Sequence, residues 1–246
     1  MTAAPVLTDL SDGVLAVTLN RPERRNPLGT ETVAALRAAF EAHADDPTIR
    51  LALLTGSGDR AFAAGGDLKE SMAVRDEAAA LAFSRTVRAA FEAVRAFPVP
   101  VAAVLNGDAL GGGAELALAC DLRIVAPHAR IAFLQSRLAI STAWGGGIDL
   151  IRAVGPARAL DLLASGRPVE AEEALALGLV QALGGAAEAR ARWGTAPAHT
   201  MRAFKALVRA APADRAAVEE ARFVETWLHP DHWAAAEAAV AALKKG

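Results

Sequence analysis

Three consecutive glycines, Gly111, Gly112 and Gly113, stand between an apolar run, Val101 to Leu105, and a helix-like run, Ala114 to Cys120. Glycine is a poor helix former, so three of them at a helix start need a reason. They remove every Cβ where something could approach the backbone. A helix N-terminus adds free N–H groups and partial positive charge at the same place. That combination suits an anion, or an oxyanion that develops during a reaction. Glu115 follows Gly112 by three residues, about one turn along nearly the same face. A carboxylate beside an N–H anion site can move protons where charge develops. The other reading of the same residues is close helix packing at the glycines, with Glu115 in solvent.

A second exposed-backbone site is Gly65-Gly66-Asp67. An oxyanion hole with two donors needs N–H groups from separate segments, and the two glycine sites supply them. Just upstream, Gly56-Ser57-Gly58-Asp59-Arg60-Ala61 matches G-x-G-x-x-A after a strand. Its context argues against a dinucleotide site. No amphipathic helix follows, and the segment does not open a repeating β-α-β series. Arg21, Arg24 and Arg25 lie in a loop marked by Pro22 and Pro27, where they either hold phosphates or stay solvated.

The elements that position these residues can be read from periodicity. Gly13 to Asn20 alternates, with Leu15, Val17 and Leu19 on one side, as a half-buried strand does. Thr30 reads as the N-cap of a helix carrying Val33, Leu36 and Phe40. Leu51 to Thr55, Val101 to Leu105, Leu122 to Ala126 and Ala129 to Phe133 read as short strands. Leu81 to Phe97 reads as a helix with Leu81, Val87, Phe91 and Val94 as its apolar stripe, stopped by Pro98 and Pro100. Gln135 to Trp144 is ambiguous and ends in a second glycine triplet, Gly145 to Gly147. Helices follow at Ile148 to Val154, Ala157 to Ala164 and Glu170 to Leu177. From Thr200 the chain reads as three helices, Thr200 to Ala210, Ala213 to Leu228 and His232 to Lys244. Mixed strands and helices therefore give way to helix alone, which predicts a core at residues 1–194 and a helical region at 195–246.

Composition narrows the function classes. The 246 residues are 53% hydrophobic, so a sizeable core is available. A net charge of −2 without a basic stripe argues against a nucleic-acid partner. Cys120 is the single cysteine, which excludes an intramolecular disulfide and a thiolate metal cluster. No apolar run reaches the roughly 18 residues of a membrane span, and Met1 to Leu10 lacks signal-peptide character, so no membrane partner and a cytoplasmic location are expected. A serine hydrolase needs a Ser and a His placed for proton transfer, but His43, His128, His199, His229 and His232 fall on helix ends and loops. No His/Asp/Glu set shows metal-ligand spacing, so no metal is expected.

Four stretches together resemble the crotonase (enoyl-CoA hydratase/isomerase) superfamily. They are Asn20 to Leu28, Ala61 to Glu70, Asn106 to Asp121, and Gly155 through Val180. The resemblance spans nearly the whole chain. It implies an α/β fold, a spiral of ββα units with a C-terminal helical trimerisation region, and a homotrimer or dimer of trimers. It implies an acyl-CoA thioester substrate, with no cofactor beyond the CoA that the substrate carries. Carried over by motif, the oxyanion hole falls on the N–H groups of Gly66 and Gly112, and Glu115 is the acid/base. Arg24 matches a contact to the CoA nucleotide, and Ala63 and Ala64 meet adenine and pantetheine. Asp67, Leu68 and Trp144 complete the implied substrate-binding set. Met72, Phe83, Leu134 and Trp144 either shape the acyl pocket or pack the core.

The sequence also departs from the family pattern. Hydratases of this family use two glutamates, and the second one's place falls on Arg137 without a gap or on Gln135 with a two-residue gap. Neither is a carboxylate, and adding water needs one group to activate it and another to deliver a proton. Trp144 before the glycines, with a non-acidic residue upstream, resembles members that decarboxylate alkylmalonyl-CoA. Arg137 can hold a substrate carboxylate through a charge-assisted pair, or make an ordinary surface salt bridge. The family's C-terminal Phe…Lys is altered, since Ala238 to Leu243 lacks the Phe and leaves Lys244 and Lys245. Lyase or isomerase chemistry through a thioester enolate is thus expected over hydration. An enoyl-CoA hydratase with an unusual acid/base set and a non-catalytic acyl-CoA binder are the alternatives.

Overall fold

The computed structural model describes residues 3–243, and the side chains of residues 3–236. Lys244 and Lys245 lie outside the described residues. Nine strands and eleven α-helices are found among them. They begin with β1 (Val6–Ser11), β2 (Val14–Leu19), α1 (Thr30–His43), β3 (Leu51–Gly56), β4 (Ala61–Ala63), α2 (Leu68–Ser71) and α3 (Glu77–Arg95). The middle holds β5 (Val101–Leu105), β6 (Asp108–Leu110), α4 (Gly112–Ala119), β7 (Leu122–Val125), β8 (Ile131–Ala132) and α5 (Gly146–Val154). The chain then runs through α6 (Pro156–Ser165), α7 (Ala171–Leu177), β9 (Ala182–Leu183), α8 (Ala186–Trp193), α9 (Ala198–Arg209), α10 (Arg215–Trp227) and α11 (Pro230–Leu243).

The strands form a six-stranded sheet, ordered β1-β2-β3-β5-β7-β9, and a three-stranded sheet, ordered β4-β6-β8. All pairs are parallel except β1 with β2. Each turn of the chain gives one strand to the large sheet, one to the small sheet, and then a helix. The runs β3-β4-α2/α3, β5-β6-α4 and β7-β8-α5 are three such turns. In the turn that precedes them, from β2 to α1, Leu28 takes the small-sheet place through a parallel bridge to Gly66. This is the ββα spiral that the family resemblance implied. The inner strands are covered on both faces, so they read as unbroken apolar runs, and every residue of β5 is buried. Asn106, at the exit of β5, ties the turns together. Its Nδ2 donates to the carbonyls of Gly56 and Gly58 at 2.8 and 2.6 Å, and its Oδ1 accepts from the Gly56 N–H at 3.0 Å.

Several local expectations change. Thr30 is the first helical residue rather than the cap. Gly29 holds the cap position, and the Thr30 N–H and Oγ1 donate instead to Glu70 at 2.7 and 2.8 Å. Asp76 caps α3 by accepting from the Ala79 N–H, so this helix begins before Leu81. Leu81 stays 46% exposed, and the buried stripe is Val87, Ala90, Phe91 and Val94. Strands β4, β6 and β9 have two or three residues each, too few to show alternation in the sequence.

Cys120 closes α4 inside the core. Burial pushes its thiol up to about 12. A thiolate is the reactive form, so this cysteine is held inert. A disulfide reagent at pH 8 is expected to find no thiol in the folded protein and one per chain after denaturation.

Candidate active site

Glu115 sits on the first turn of α4 and is only 2% exposed, so the solvated reading of this residue does not hold. Three donors surround its carboxylate. Gln135 Nε2 donates to Oε1 at 2.8 Å, while the N–H groups of Trp144 and Gly146 donate to Oε2 at 3.1 and 3.0 Å. The last two belong to the N-terminal edge of α5, so the carboxylate lies where that helix presents unpaired N–H groups. Close approach of the two helices requires Gly146, since a Cβ there would overlap Glu115 Cγ and lie 2.8 Å from its Cα. Burial raises the Glu115 pKa above the ordinary carboxylate range, and the three hydrogen bonds only partly oppose it.

Both glycine sites face the same space. Gly66 follows β4, Gly112 follows β6, and these strands are neighbours in the small sheet. Among the described residues, neither the Gly66 nor the Gly112 N–H has a hydrogen-bond partner. Trp144 lies across both. A Cβ on Gly66 would be 3.1 Å from Trp144 Cη2, and one on Gly112 would overlap Cζ3 and lie 2.8 Å from Cε3. Phe83 and Phe91 hold the indole edge-to-face, each with its ring centroid 5.8 Å away. Behind it, Arg95 Nη2 donates to the Trp144 carbonyl at 3.2 Å and to Asp149 at 2.7 Å.

The two glycine sites, Glu115, Gln135, Phe83 and Trp144 line one cavity of about 700 Å³. Arg24, Ala64, Gly66, Asp67, Leu68, Gly112, Glu115, Arg137 and Trp144 all border it. Ala63 does not; it is fully buried in β4 behind the wall. Phe83 and Leu134 line the cavity as the sequence suggested, whereas Met72 is 65% exposed outside it. Arg24 Nη2 pairs with Asp67 at 2.9 Å, and Asp67 also caps α2 by accepting from the Lys69 N–H. The two candidates for the second-acid position separate clearly. Gln135 is buried against Glu115, while Arg137 is two residues on, exposed at the cavity wall. Gln135 Oε1 has no partner among the described residues. The supporting role of Arg95 was not legible, because the residue lies on α3, far in sequence from the glycines it backs.

A larger cavity, about 880 Å³, borders Arg95 and Gly145 on α3 and α5. It includes neither Glu115 nor the Gly66 and Gly112 sites, so its size does not make it the reaction site. Among the described residues no histidine lines the 700 Å³ cavity, which removes the serine-hydrolase arrangement from that space. No helix among them is long and apolar enough to cross a membrane.

Residues 9–234 match the family model for enoyl-CoA hydratase/isomerase. The chain is 39% identical over 176 residues to the (E)-benzylidenesuccinyl-CoA hydratase of Thauera aromatica, a match covering 72% of this chain and 68% of that protein. It is 36% identical over 180 residues to the crotonyl-CoA hydratase of Syntrophomonas wolfei, covering 71% and 67%. The crystal structure of an enoyl-CoA hydratase from Bacillus anthracis superposes with a TM-score of 0.89 at 29% identity, over 97% of this chain and 96% of that one. A spiral fold, a buried glutamate sharing one cavity with two glycine N–H sites and these matches agree: the chain belongs to the enoyl-CoA hydratase/isomerase family of the crotonase superfamily.

Proposed function

We propose that this protein generates an acyl-CoA thioester enolate and uses Glu115 as its single proton-transfer carboxylate. Decarboxylation of an alkylmalonyl-CoA is the favoured reaction, and double-bond isomerisation is a related use of the same groups. The observation that supports this reading is the neighbour of Glu115: the side chain hydrogen-bonded to it is the carboxamide of Gln135, and neither Gln135 nor Arg137, the two candidates for the second-acid position, is a carboxylate. Hydration needs one group for the water and one for the carbon proton. Decarboxylation needs neither a base nor a positioned water. The C–C bond to the substrate carboxylate breaks, CO₂ leaves, and the electron pair passes into the thioester as an enolate. The N–H groups of Gly66 and Gly112 stabilise its oxygen. Glu115, whose pKa burial raises, acts in its protonated form: it then protonates the α-carbon and regains its proton from solvent. A neutral Glu115 also avoids repelling the substrate's carboxylate, for which Arg137 at the cavity wall offers a cation.

Arg24, Ala64, Asp67 and Leu68 are assigned to the CoA ester, with Trp144 against its acyl end, while buried Ala63 only backs this wall. The CoA arrives as part of the substrate, and the reaction asks for no other cofactor. Residues 195–246 are assigned to assembly into a homotrimer or a dimer of trimers. Exposed Phe223, Val224 and Trp227 on α10, Leu228 at its C-cap and Trp233 on α11 support this, with Trp227 in ring contact with both Phe223 and Trp233.

Hydration is the second reading, favoured by the two relatives named as hydratases. The reactions separate in one assay of purified protein with crotonyl-CoA, methylmalonyl-CoA and ethylmalonyl-CoA, followed by product mass. Loss of CO₂ from a malonyl thioester is expected, with crotonyl-CoA hydrated slowly. Hydration of crotonyl-CoA at ordinary enzyme rates would overturn the single-carboxylate reading. Gln135→Glu is expected to raise crotonyl-CoA hydration by about 10²-fold, the lower range of one general acid/base.

A further inference from the structure

The C-terminal helices bring together three side chains that the sequence keeps apart. His199 lies in the first turn of α9, His229 in the turn between α10 and α11, and Asp231 in the first turn of α11. The two imidazoles are stacked, 3.6 Å between centroids and 16° from parallel. Asp231 Oδ2 is 3.7 Å from Nδ1 of both rings. These contacts exceed hydrogen-bond length, so the carboxylate and the rings converge without satisfying one another. Among the described residues, the one side-chain hydrogen bond at the cluster runs from the Asp231 N–H to His229 Nδ1, at 3.2 Å.

We propose that His199, His229 and Asp231 form a site for one divalent transition-metal ion of the zinc type. One ligand atom from each of the three lies within 4.8 Å of the others. An ion bound at 2.0–2.2 Å to imidazole nitrogen and carboxylate oxygen needs its ligand atoms about 3.5 Å apart. The two imidazole–carboxylate separations, 3.7 Å, are near that value, and the stacked rings must in addition turn out of parallel so that both lone pairs reach one point. Each ring turns about its own side-chain bond to aim a lone pair at the common point, and His229 exchanges its amide hydrogen bond for the metal. The rings are partly exposed, which leaves both the movement and the entry path open. Three protein ligands leave a fourth tetrahedral position for water. Two neutral nitrogens and one carboxylate suit zinc better than calcium or magnesium, which take oxygen ligands. The ion fixes the start of α9 to the start of α11, so it acts as a clip on the helical region. The cluster does not border the 700 Å³ cavity, so the site is independent of the reaction assigned there.

The test uses the full-length protein freed of any histidine tag and stripped with a chelator. Zinc is titrated against a chromophoric competitor, and cobalt(II) reports the coordination number through its visible absorption. One saturable equivalent per chain is expected, with thermal unfolding shifted up by roughly 5–10 °C at a hundredfold excess over Kd. His199→Ala and His229→Ala should each weaken binding by more than about 100-fold, beyond the loss typical of outer-shell changes. His43→Ala, on α1, should keep the equivalent. Circular dichroism of the metal-free variants checks that they fold. The absence of a saturable equivalent overturns the proposal, as does its retention in both His199→Ala and His229→Ala, or its loss in His43→Ala.

Discussion

Glu115→Gln should lower turnover of the protein's acyl-CoA substrate by about 10²–10⁴-fold, the usual weight of one general acid/base, while making the fold more stable at neutral pH. The two effects have one origin. Burial raises the native pKa of Glu115 above its unfolded value, so ionising it in the folded protein costs stability. Below the ordinary carboxylate range the group is neutral in both states and no difference is expected. As pH rises from there through the raised native pKa, the wild type loses stability that the glutamine variant keeps. The introduced carboxamide is also well accommodated. Its carbonyl accepts the Trp144 and Gly146 N–H groups, and its NH₂ meets Gln135, which turns its orphan Oε1 toward it. Unfolding in urea across pH 4–8 measures this gap; equal stability of the two proteins at pH 8 would contradict it. Activity against pH adds a sign. A Glu115 that delivers a proton loses rate as pH rises through its pKa, as decarboxylation requires. A Glu115 that first removes one loses rate as pH falls through the same value.

Gly112→Ala should cost at least the ~10²–10³-fold that follows loss of one oxyanion donor, together with about 1–3 kcal/mol of stability from overpacking. The new methyl group would overlap the Trp144 ring, which is rigid and held between Phe83 and Phe91. The indole has to move, and it does not move alone. The backbone N–H of Trp144 holds Glu115, and its carbonyl is held by Arg95. Displacement therefore reaches the carboxylate as well as the N–H at Gly112. Adding Trp144→Ala removes the overlap, so the double variant should be more stable than the sum of the single effects indicates. Its activity should stay low. Activity within tenfold of wild type in Gly112→Ala alone would show that the ring yields without consequence.

The order of the main elements and the glycine sites could be read from the sequence, because long apolar runs and glycine clusters are local signals. The four family stretches extended this to the spiral itself. Three things could not be read. Strands of two or three residues, such as β6 and β9, carry no period. The burial of Glu115 depends on Gly146, thirty-one residues later in the chain, letting α5 approach α4. Gln135 and Arg137 share one short 3-10 turn, Gln135–Leu138, so a two-residue gap moves the second-acid position from one to the other. His199, His229 and Asp231 were likewise invisible as a set, since the return of α10 past α9 joins them.

The pairing of β4 with β6 has a consequence for how the protein can change. Gly66 and Gly112 lie just beyond the ends of adjacent parallel strands, whose spacing of about 4.8 Å is that of any sheet. No side chain sets that width. The walls that meet the acyl group come instead from α3 and from the irregular stretch between β8 and α5. Polarity and size there can be altered freely while the anion-binding backbone keeps its dimensions. Enolate stabilisation and substrate preference thus rest on separate materials, a backbone ladder and a replaceable lining, and the lining is where new acyl-CoA selectivities would be selected.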